Sequence, residues 1–345
     1  VPPFFFLLSG EHPTLPLAEL KAALETERVP FNELQTLPQI ARFDTTINAV
    51  EALERRAALT RACCLEILHT ATSLTDIARA ANDSPIDNFL RPNESFAVRI
   101  RQIGERTSSL ISITLERRLG ALLLDHVHEA RVDLERPQKT FFGAIAGNDF
   151  VFGLRLAEIP ATPFMQRRPR KRPFFHPSAM PPKLARCMVN LAKARKGDIL
   201  LDPFCGTGSF LLEAALLGCR VVGSDAKRYV TRGCRRNLQF FKLGWDGLMA
   251  ADARHLPVVG VDSIATDPPY GRSATTMGHT TEQIINEFLA NAADTLKRRG
   301  RICLAAPKTV NVGEMAKRLG YTWVESHLVY VHRSLTREVA VLENA

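Results

Sequence analysis

The chain of 345 residues is short of several features that would place it in a class at once. No apolar run approaches the roughly 20 residues a helix needs to cross a bilayer, so no membrane partner is expected. Val1–Leu8 is apolar but lacks the basic start and the length of a signal peptide. Its seven cysteines form no Cys-x-x-Cys pair and no even-numbered framework. They read as reduced, partly buried thiols of a cytoplasmic protein. The third glycine of a dinucleotide fingerprint is also missing, because Gly206 and Gly208 stand as a bare G-x-G. Carboxylates are scarce as well: 36 Asp and Glu face 45 Lys and Arg, for a net charge of +9. About +8 of that falls in residues 181–345. Such a surplus suits a polyanionic partner, with solubility alone as the plainer reading.

The most informative feature present is Asp267-Pro268-Pro269-Tyr270-Gly271, which ends the apolar stretch Val261–Thr266. A carboxylate, two prolines and an aromatic at a strand end suit a flat molecule bearing an exocyclic amine. Asp267 can accept one amine hydrogen, and the Pro268 carbonyl can accept the other. Tyr270 offers a face on which a base can stack. A Pro-rich turn carrying an acid is the plainer alternative.

About sixty residues earlier, Asp198–Asp202 reads as a buried parallel strand and Leu211–Leu217 as a helix, with Gly206 and Gly208 in the turn between them. Glycine lets a ligand approach the backbone there, in the first crevice of a doubly wound sheet. Asp202 suits a cationic amino-acid group better than a pyrophosphate. Arg220–Asp225 is a second strand ending in an acid, and Asp225 falls where ribose hydroxyls are usually gripped. Leu248–Asp252 ends in another acid, suited to an adenine amine. Each acid alone would be an ordinary solvated strand end, but four occur in order. Cys205 lies inside the turn with Thr207. No base is signalled for it, so it reads as a small packing residue.

These residues resemble the S-adenosylmethionine-dependent amino-methyltransferases of the class I fold, over roughly Pro181–Ala345. The resemblance implies S-adenosylmethionine as cofactor and no metal. It places Asp202, Cys205, Gly206, Thr207 and Gly208 near the methionine part, Asp225 on the ribose and Asp252 near the adenine. Asp267, Pro268 and Tyr270 fall on the target amine, with Asp267 also bordering the cofactor.

Upstream, Phe4–Ser9 reads as a strand and Leu17–Glu27 as an amphipathic helix. Leu59–Leu68 with Ser73–Ala80 reads as mixed helix and strand. Phe96–Ile103 reads as a half-exposed strand with Arg99 and Arg101 on its basic face. Leu110–Val127 is expected as a helix and Val132–Leu134 opens a strand, and Phe150–Ala157 follows a Gly147-Asn148-Asp149 turn. The block Phe96–Ile159 resembles the THUMP domain, an RNA-binding module, through Phe96–Arg99, Val132–Leu134 with Pro137, and Phe152–Leu156, which includes Arg155. The expected layout is a ferredoxin-like unit at 1–50, a THUMP domain at 51–159, a basic Pro-rich linker at 160–180 and the methyltransferase domain at 181–345. Arg167, Arg168, Arg170, Lys171 and Arg172 in the linker read either as a solvated tether or as a phosphate-contacting strap. The stretch from Arg172 to Arg186 resembles the segment that closes over the cofactor's methionine end, and His176 reads as an orienting residue. Toward the end, Ile284–Leu296 and Val312–Leu319 read as helices and Gly300–Ala306 as a strand. Tyr321–Tyr330 and Arg337–Leu342 read as an edge hairpin whose turn, His332–Arg337, carries Arg333 as a substrate-strand contact.

The expected fold class is therefore α/β: a doubly wound, seven-stranded class I methyltransferase sheet behind an N-terminal α+β RNA-binding half. Together the motifs resemble the archaeal tRNA (guanine-10-N2)-methyltransferase family. This implies methylation of the N2 amine of guanosine at position 10 of tRNA, with room for a second methyl and for a small activator protein. Three rivals are a DNA amino-methyltransferase, a relative acting elsewhere on tRNA or on ribosomal RNA, and a non-catalytic RNA-binding protein. The THUMP-like half argues against the first. Asp rather than Asn at 267 weighs against the second, and the intact acids weigh against the third.

Overall fold

The computed structural model describes residues 3–104, 109–270 and 278–345. Gly271, the last residue of the Asp267 motif, lies outside the described residues, as does part of the approach to the helix expected at Leu110. The first half of the chain runs β1 (Phe4–Leu8), α1 (Leu15–Thr26), β2 (Phe31–Leu37), β3 (Ile40–Thr45), α2 (Asn48–Arg56) and β4 (Thr60–Ala71). It continues through α3 (Leu74–Asn82), β5 (Ser95–Ile103), α4 (Ser109–His126), β6 (Arg131–Val132), β7 (Lys139–Ala146) and β8 (Asp149–Glu158). The second half follows as α5 (Thr162–Gln166), α6 (Pro182–Leu191), β9 (Ile199–Asp202), α7 (Ser209–Leu216), β10 (Arg220–Asp225) and α8 (Arg228–Phe240). It ends with β11 (Gly247–Ala250), β12 (Val261–Thr266), α9 (Thr281–Thr295), β13 (Leu296–Pro307), α10 (Val312–Arg318), β14 (Thr322–His332) and β15 (Leu335–Glu343).

Two compact units result. One comprises residues 1–11, 29–54 and 60–159, and the other residues 12–28, 55–59 and 160–345. The expected division at residue 50 falls inside the first unit, because one sheet in the order β2-β3-β1-β4-β8-β7-β5-β6 runs through it. Only β5 with β6 and β5 with β7 pair in parallel in that sheet. From Thr60 on, the expected Leu59–Leu68 segment lies in a single long strand, and Ser73 opens a helix by accepting from Asp76 N at 3.0 Å. The strand expected at Val132 is only two residues long. In β5 the alternation holds only from Val98 onward, since both Phe96 and Ala97 are buried. Ala146 pairs with Asp149 across the expected tight turn, where Gly147 takes φ +64°.

The second unit is the doubly wound sheet, in the order β11-β10-β9-β12-β13-β15-β14. Its first five strands are parallel, and β15 enters antiparallel between β13 and β14. The strands are apolar runs because both faces are covered. Leu200, Val221, Ala265 and Cys303 pack on one side with Met188 of α6 and Leu211 of α7. Leu201, Val222, Ile264 and Ile302 pack on the other with Phe288 and Leu289 of α9. A capping box between Thr280 and Gln283 starts α9, and Asn311 caps α10 through Glu314 N.

Helix α1 belongs to this second unit despite its early position, which corrects its expected place in the N-terminal module. Its Leu15 and Ala22 join the core beneath α6. Its Glu19 is fully buried and accepts from the Ala58 and Leu59 amides and from Asn190 Nδ2 of α6. The residues expected as a linker are part of the unit too. Phe164 and Met180 are buried in the same core. Among the described residues, no helix is long and apolar enough to cross a membrane.

Candidate active site

In a doubly wound sheet, ligands bind beyond the strand C-termini where the strand order reverses. Here β9 is that point, since it pairs with β10 on one side and β12 on the other. Asp202, Asp225 and Asp267 end, or immediately follow, these three strands, and Asp252 lies just past β11. All four line one cavity of about 410 Å³, a volume suited to a small-molecule ligand.

Asp202 is 1% exposed. Its Oδ1 accepts from Thr266 Oγ1 at 2.7 Å and from Phe204 N at 3.2 Å, and its Oδ2 has no partner among the described residues. Burial pushes its carboxyl up to about 8, helped by the nearby Asp225 and Asp267 charges and opposed by the Thr266 bond. An unpartnered buried carboxylate oxygen is costly unless a donor meets it. An ammonium group would satisfy it and draw the carboxyl into its ionised form. The turn beyond it carries Gly206 at φ +50° and Gly208 at φ +83°. A side chain on Gly208 would collide with Cys234 Sγ at 2.7 Å, so both backbone sign and space demand glycine. Cys205 packs in this turn, its amide on Ser224 O at 2.8 Å. A bond to Cys234, together with burial, holds its thiol well above the ordinary range, so it is no thiolate nucleophile.

Asp225 accepts from Gly206 N at 3.3 Å and from Lys227 N at 2.9 Å, which fixes it beside the turn. Burial raises its carboxyl. Asp252 is held differently. Arg254 Nη2 donates to its Oδ2 at 2.7 Å, and Arg254 Nε contacts both of its oxygens. These bonds lower the Asp252 carboxyl. Arg254 also donates to His279 Nε2 at 2.8 Å, just ahead of the α9 cap.

At the far end of the cavity, Tyr270 Oη donates to Asp267 Oδ1. Arg337 completes a triad that the sequence did not suggest. Its Nη2 lies 3.4 Å from Asp267 Oδ2 and its Nε donates to Tyr270 Oη at 3.1 Å. The guanidinium sits 5.5 Å from the Tyr270 ring centre. Burial raises the Asp267 carboxyl, while the Arg337 charge and the Tyr270 bond pull it back. Arg337, expected where the His332–Arg337 turn meets the strand Arg337–Leu342, lies within β15, opposite Val329 and Pro307, and the turn is shorter than expected, since Arg333 and Ser334 alone separate the two strands. Pro268 is buried, and its carbonyl accepts no hydrogen bond among the described residues.

The expected basic strap is corrected in part. Arg167 makes a two-pronged pair with the fully buried Glu213 at 2.8 and 3.0 Å, and Arg186 joins it at 2.9 Å. Arg172 is 5% exposed and donates to Ser209 Oγ at 2.8 Å and Thr207 Oγ1 at 3.3 Å. Arg172 thus braces the turn from inside and Arg167 is committed to Glu213 of α7, so neither is a freely solvated side chain of a strap. Arg168, Arg170, Lys171 and Arg333 are exposed. In the other unit, Arg99 donates to Leu134 O at 2.6 Å, and Arg155 pairs with Glu158 at 2.7 Å. His176 lines the cavity and bonds Ser178 Oγ at 2.7 Å. Among the described residues, no group of three or more His, Cys, Asp or Glu could hold a metal ion.

Comparisons with known proteins point to methyltransferases. The family model for the RMKL-like methyltransferase domain matches residues 169–339. A DNA methylase model matches residues 97–233, a span that ends before Asp267. The tRNA (guanine(10)-N2)-dimethyltransferase of Methanothermobacter thermautotrophicus is 39% identical over 338 residues, 98% of each chain. Its counterpart in Methanocaldococcus jannaschii is 30% identical over 97% of this chain and 98% of its own. Among solved structures, TrmN from Thermus thermophilus superposes with a TM-score of 0.58 at 24% identity, covering 99% of this chain and all of that one, which shows a shared fold.

Proposed function

The chain belongs to the tRNA (guanine(10)-N2)-dimethyltransferase family, and from that premise we infer that it transfers methyl groups from S-adenosylmethionine to the exocyclic N2 amine of a guanosine in tRNA. We place the target at position 10, with one methyl and then a second. The observation that carries the site assignment is the convergence of Asp202, Asp225, Asp252 and Asp267 on one cavity, with a donor-hungry oxygen on Asp202. On the same reading the enzyme works in the cytoplasm, with room for a small activator protein.

The residues fit this cofactor. Asp202 Oδ2 would receive the methionine ammonium, the Gly206–Gly208 turn would accommodate close approach, and Asp225 would take the ribose hydroxyls. Asp252, steadied by Arg254, would face the adenine. When bound, S-adenosylmethionine supplies a methyl already activated on sulfonium, so the protein's task is alignment and charge. An exocyclic amine is a poor nucleophile because its lone pair is delocalised into the ring. Asp267 and the Pro268 carbonyl would each accept one amine hydrogen and favour a more tetrahedral nitrogen. Asp267 then stands beside the positive charge that grows on nitrogen, where a preorganised carboxylate counts most. Tyr270, which lines the cavity, would offer its ring for the base to stack on. The base must leave its stack to arrive there, which costs a few kcal/mol. The N-terminal unit, on its THUMP-like motif, would offset that by holding tRNA phosphates, with Arg99 and Arg155 as candidates. The exposed Arg168, Arg170, Lys171 and Arg333 would contribute on the catalytic side.

The test is Asp267→Ala. Methyl transfer should fall by at least ~10²-fold, on the scale of losing a key transition-state dipole, while S-adenosylhomocysteine affinity changes by less than about threefold, well under the ~1.4 kcal/mol of a tenfold change. Near-wild-type turnover at saturating tRNA and cofactor would remove Asp267 from the role.

A further inference from the structure

Helix α8 carries a feature that the reaction chemistry does not use. Between Lys227 and Lys242 the chain holds six lysines and arginines and no carboxylate. Arg228, Arg232, Arg235 and Arg236 are all exposed. At 3.6 residues per turn they share one face, spread along about 12 Å of helix axis. Arg228 with Arg232, and Arg232 with Arg236, are like-charge pairs one turn apart, each of which weakens an isolated helix. No ion pair relieves any of the four among the described residues, and Arg235 instead rests over the Trp245 ring at 5.9 Å. Exposed Tyr229 and Phe240, 60% and 58% accessible, flank the same face.

The opposite face of α8 is locked to the cofactor turn. Cys234 fills the space left by the missing side chain of Gly208. Asn237 donates to Thr207 O at 2.9 Å and to Phe174 O at 2.8 Å, and accepts from Phe174 N at 2.9 Å. The helix also begins at the rim of the cavity, where Lys227, Tyr229 and Val230 line its wall. The arginine face is therefore held at a fixed distance from the reacting end. Arginine, with its planar fork, is the side chain suited to two-pronged phosphate contact.

We propose that the outer face of α8 is a second tRNA-binding surface, on which Arg228, Arg232, Arg235 and Arg236 grip the sugar-phosphate backbone flanking the target nucleotide. It rests on the reading of the substrate as tRNA and adds a contact within the catalytic unit itself. Nucleic-acid backbone is the occupant because the face is uniformly cationic, uncompensated and edged by aromatics. A solvated face would intersperse charges of both signs.

The test uses the full chain with all four arginines changed to glutamine. Affinity for tRNA should weaken at least ~10-fold near 0.1 M salt, and the slope of log affinity against log salt should become shallower by roughly 2–4, as fewer counterions are released. S-adenosylhomocysteine affinity and single-turnover methylation at saturating tRNA should stay within about twofold, well below the ~1.4 kcal/mol of a tenfold change. A matched variant with lysine at all four positions should keep the salt slope and lose only part of the affinity. It also serves where the glutamine variant folds poorly, because full affinity and no change in the lysine variant would remove any role for the guanidinium forks. Unchanged tRNA affinity and slope in a folded glutamine variant overturns the proposal. A parallel loss of cofactor affinity would also overturn it, by making the helix a structural support. Binding is read apart from turnover, so wild-type protein that binds tRNA without methylating it would count against the reaction assignment and leave the surface assignment standing.

Discussion

Arg337 offers the sharpest perturbation. Its guanidinium faces Asp267 at 3.4 Å, and the two side chains are only 10% and 14% exposed. At an effective dielectric near 20, that separation corresponds to about 5 kcal/mol of attraction. Part of the effect survives through Tyr270, which also donates to Asp267. We expect Arg337→Gln to lower kcat by roughly 10²–10³-fold, or about 3–4 kcal/mol. The pH profile separates positioning from simple damage. Burial raises the Asp267 carboxyl, and the Arg337 charge opposes that rise. The productive carboxylate is present above its folded pKa and is lost as pH falls through it. Removing Arg337 leaves burial less opposed, so the acidic limb of the kcat profile should move to higher pH. Arg337→Lys should restore much of the profile, while cofactor affinity stays unchanged in both variants. A glutamine variant with wild-type kcat and an unmoved acidic limb would refute the argument.

Two further outcomes follow from buried charge. Burial pushes Asp202 up to about 8, and an incoming ammonium group favours its ionised form, so cofactor binding should release a proton. Affinity for S-adenosylhomocysteine should rise with pH from 6 to 8, by up to about tenfold per pH unit, and Asp202→Asn should weaken and flatten the dependence. A pH-independent affinity in the wild type, measured by calorimetry, would contradict this. Glu213 is buried between Arg167 and Arg186, so Glu213→Gln leaves two guanidinium groups uncompensated and should cost about 3–5 kcal/mol. The melting transition of the catalytic unit should fall by roughly 10 °C, and an unchanged Tm would show that the network is dispensable.

The acids that build the cavity were legible because each closes an apolar run, and a charged residue after a buried strand falls at the strand's C-terminal end, where such a sheet binds ligands. Asp202, Asp225 and Asp267 follow that rule. Arg337 was not legible. It is 67 positions from Tyr270 and reaches it only because β15 inserts antiparallel between β13 and β14. The basic run at 167–172 misled for a different reason. Consecutive arginines read as solvated, yet Arg167 and Arg172 point inward. One signal was available: Glu213 stands alone in Phe210–Leu217, an otherwise apolar helix, and a lone buried carboxylate requires a buried cation. Helix α1 was legible as an amphipathic helix, but periodicity does not say which body its apolar face covers. Its place beneath α6 also means that a chain shortened to begin at Arg172 would lose the Glu19–Asn190 contact.

The central claim is that the Asp267 cavity methylates the N2 amine of guanosine in tRNA. The direct measurement is incubation of the intact protein with unmodified tRNA and isotopically labelled S-adenosylmethionine, followed by nucleoside mass spectrometry and mapping of the labelled residue. The account predicts label in N2-methylguanosine and N2,N2-dimethylguanosine at position 10, abolished by Asp267→Ala. Label on an adenine or cytosine amine, label at another guanosine, or undiminished label in the Asp267 variant would contradict it.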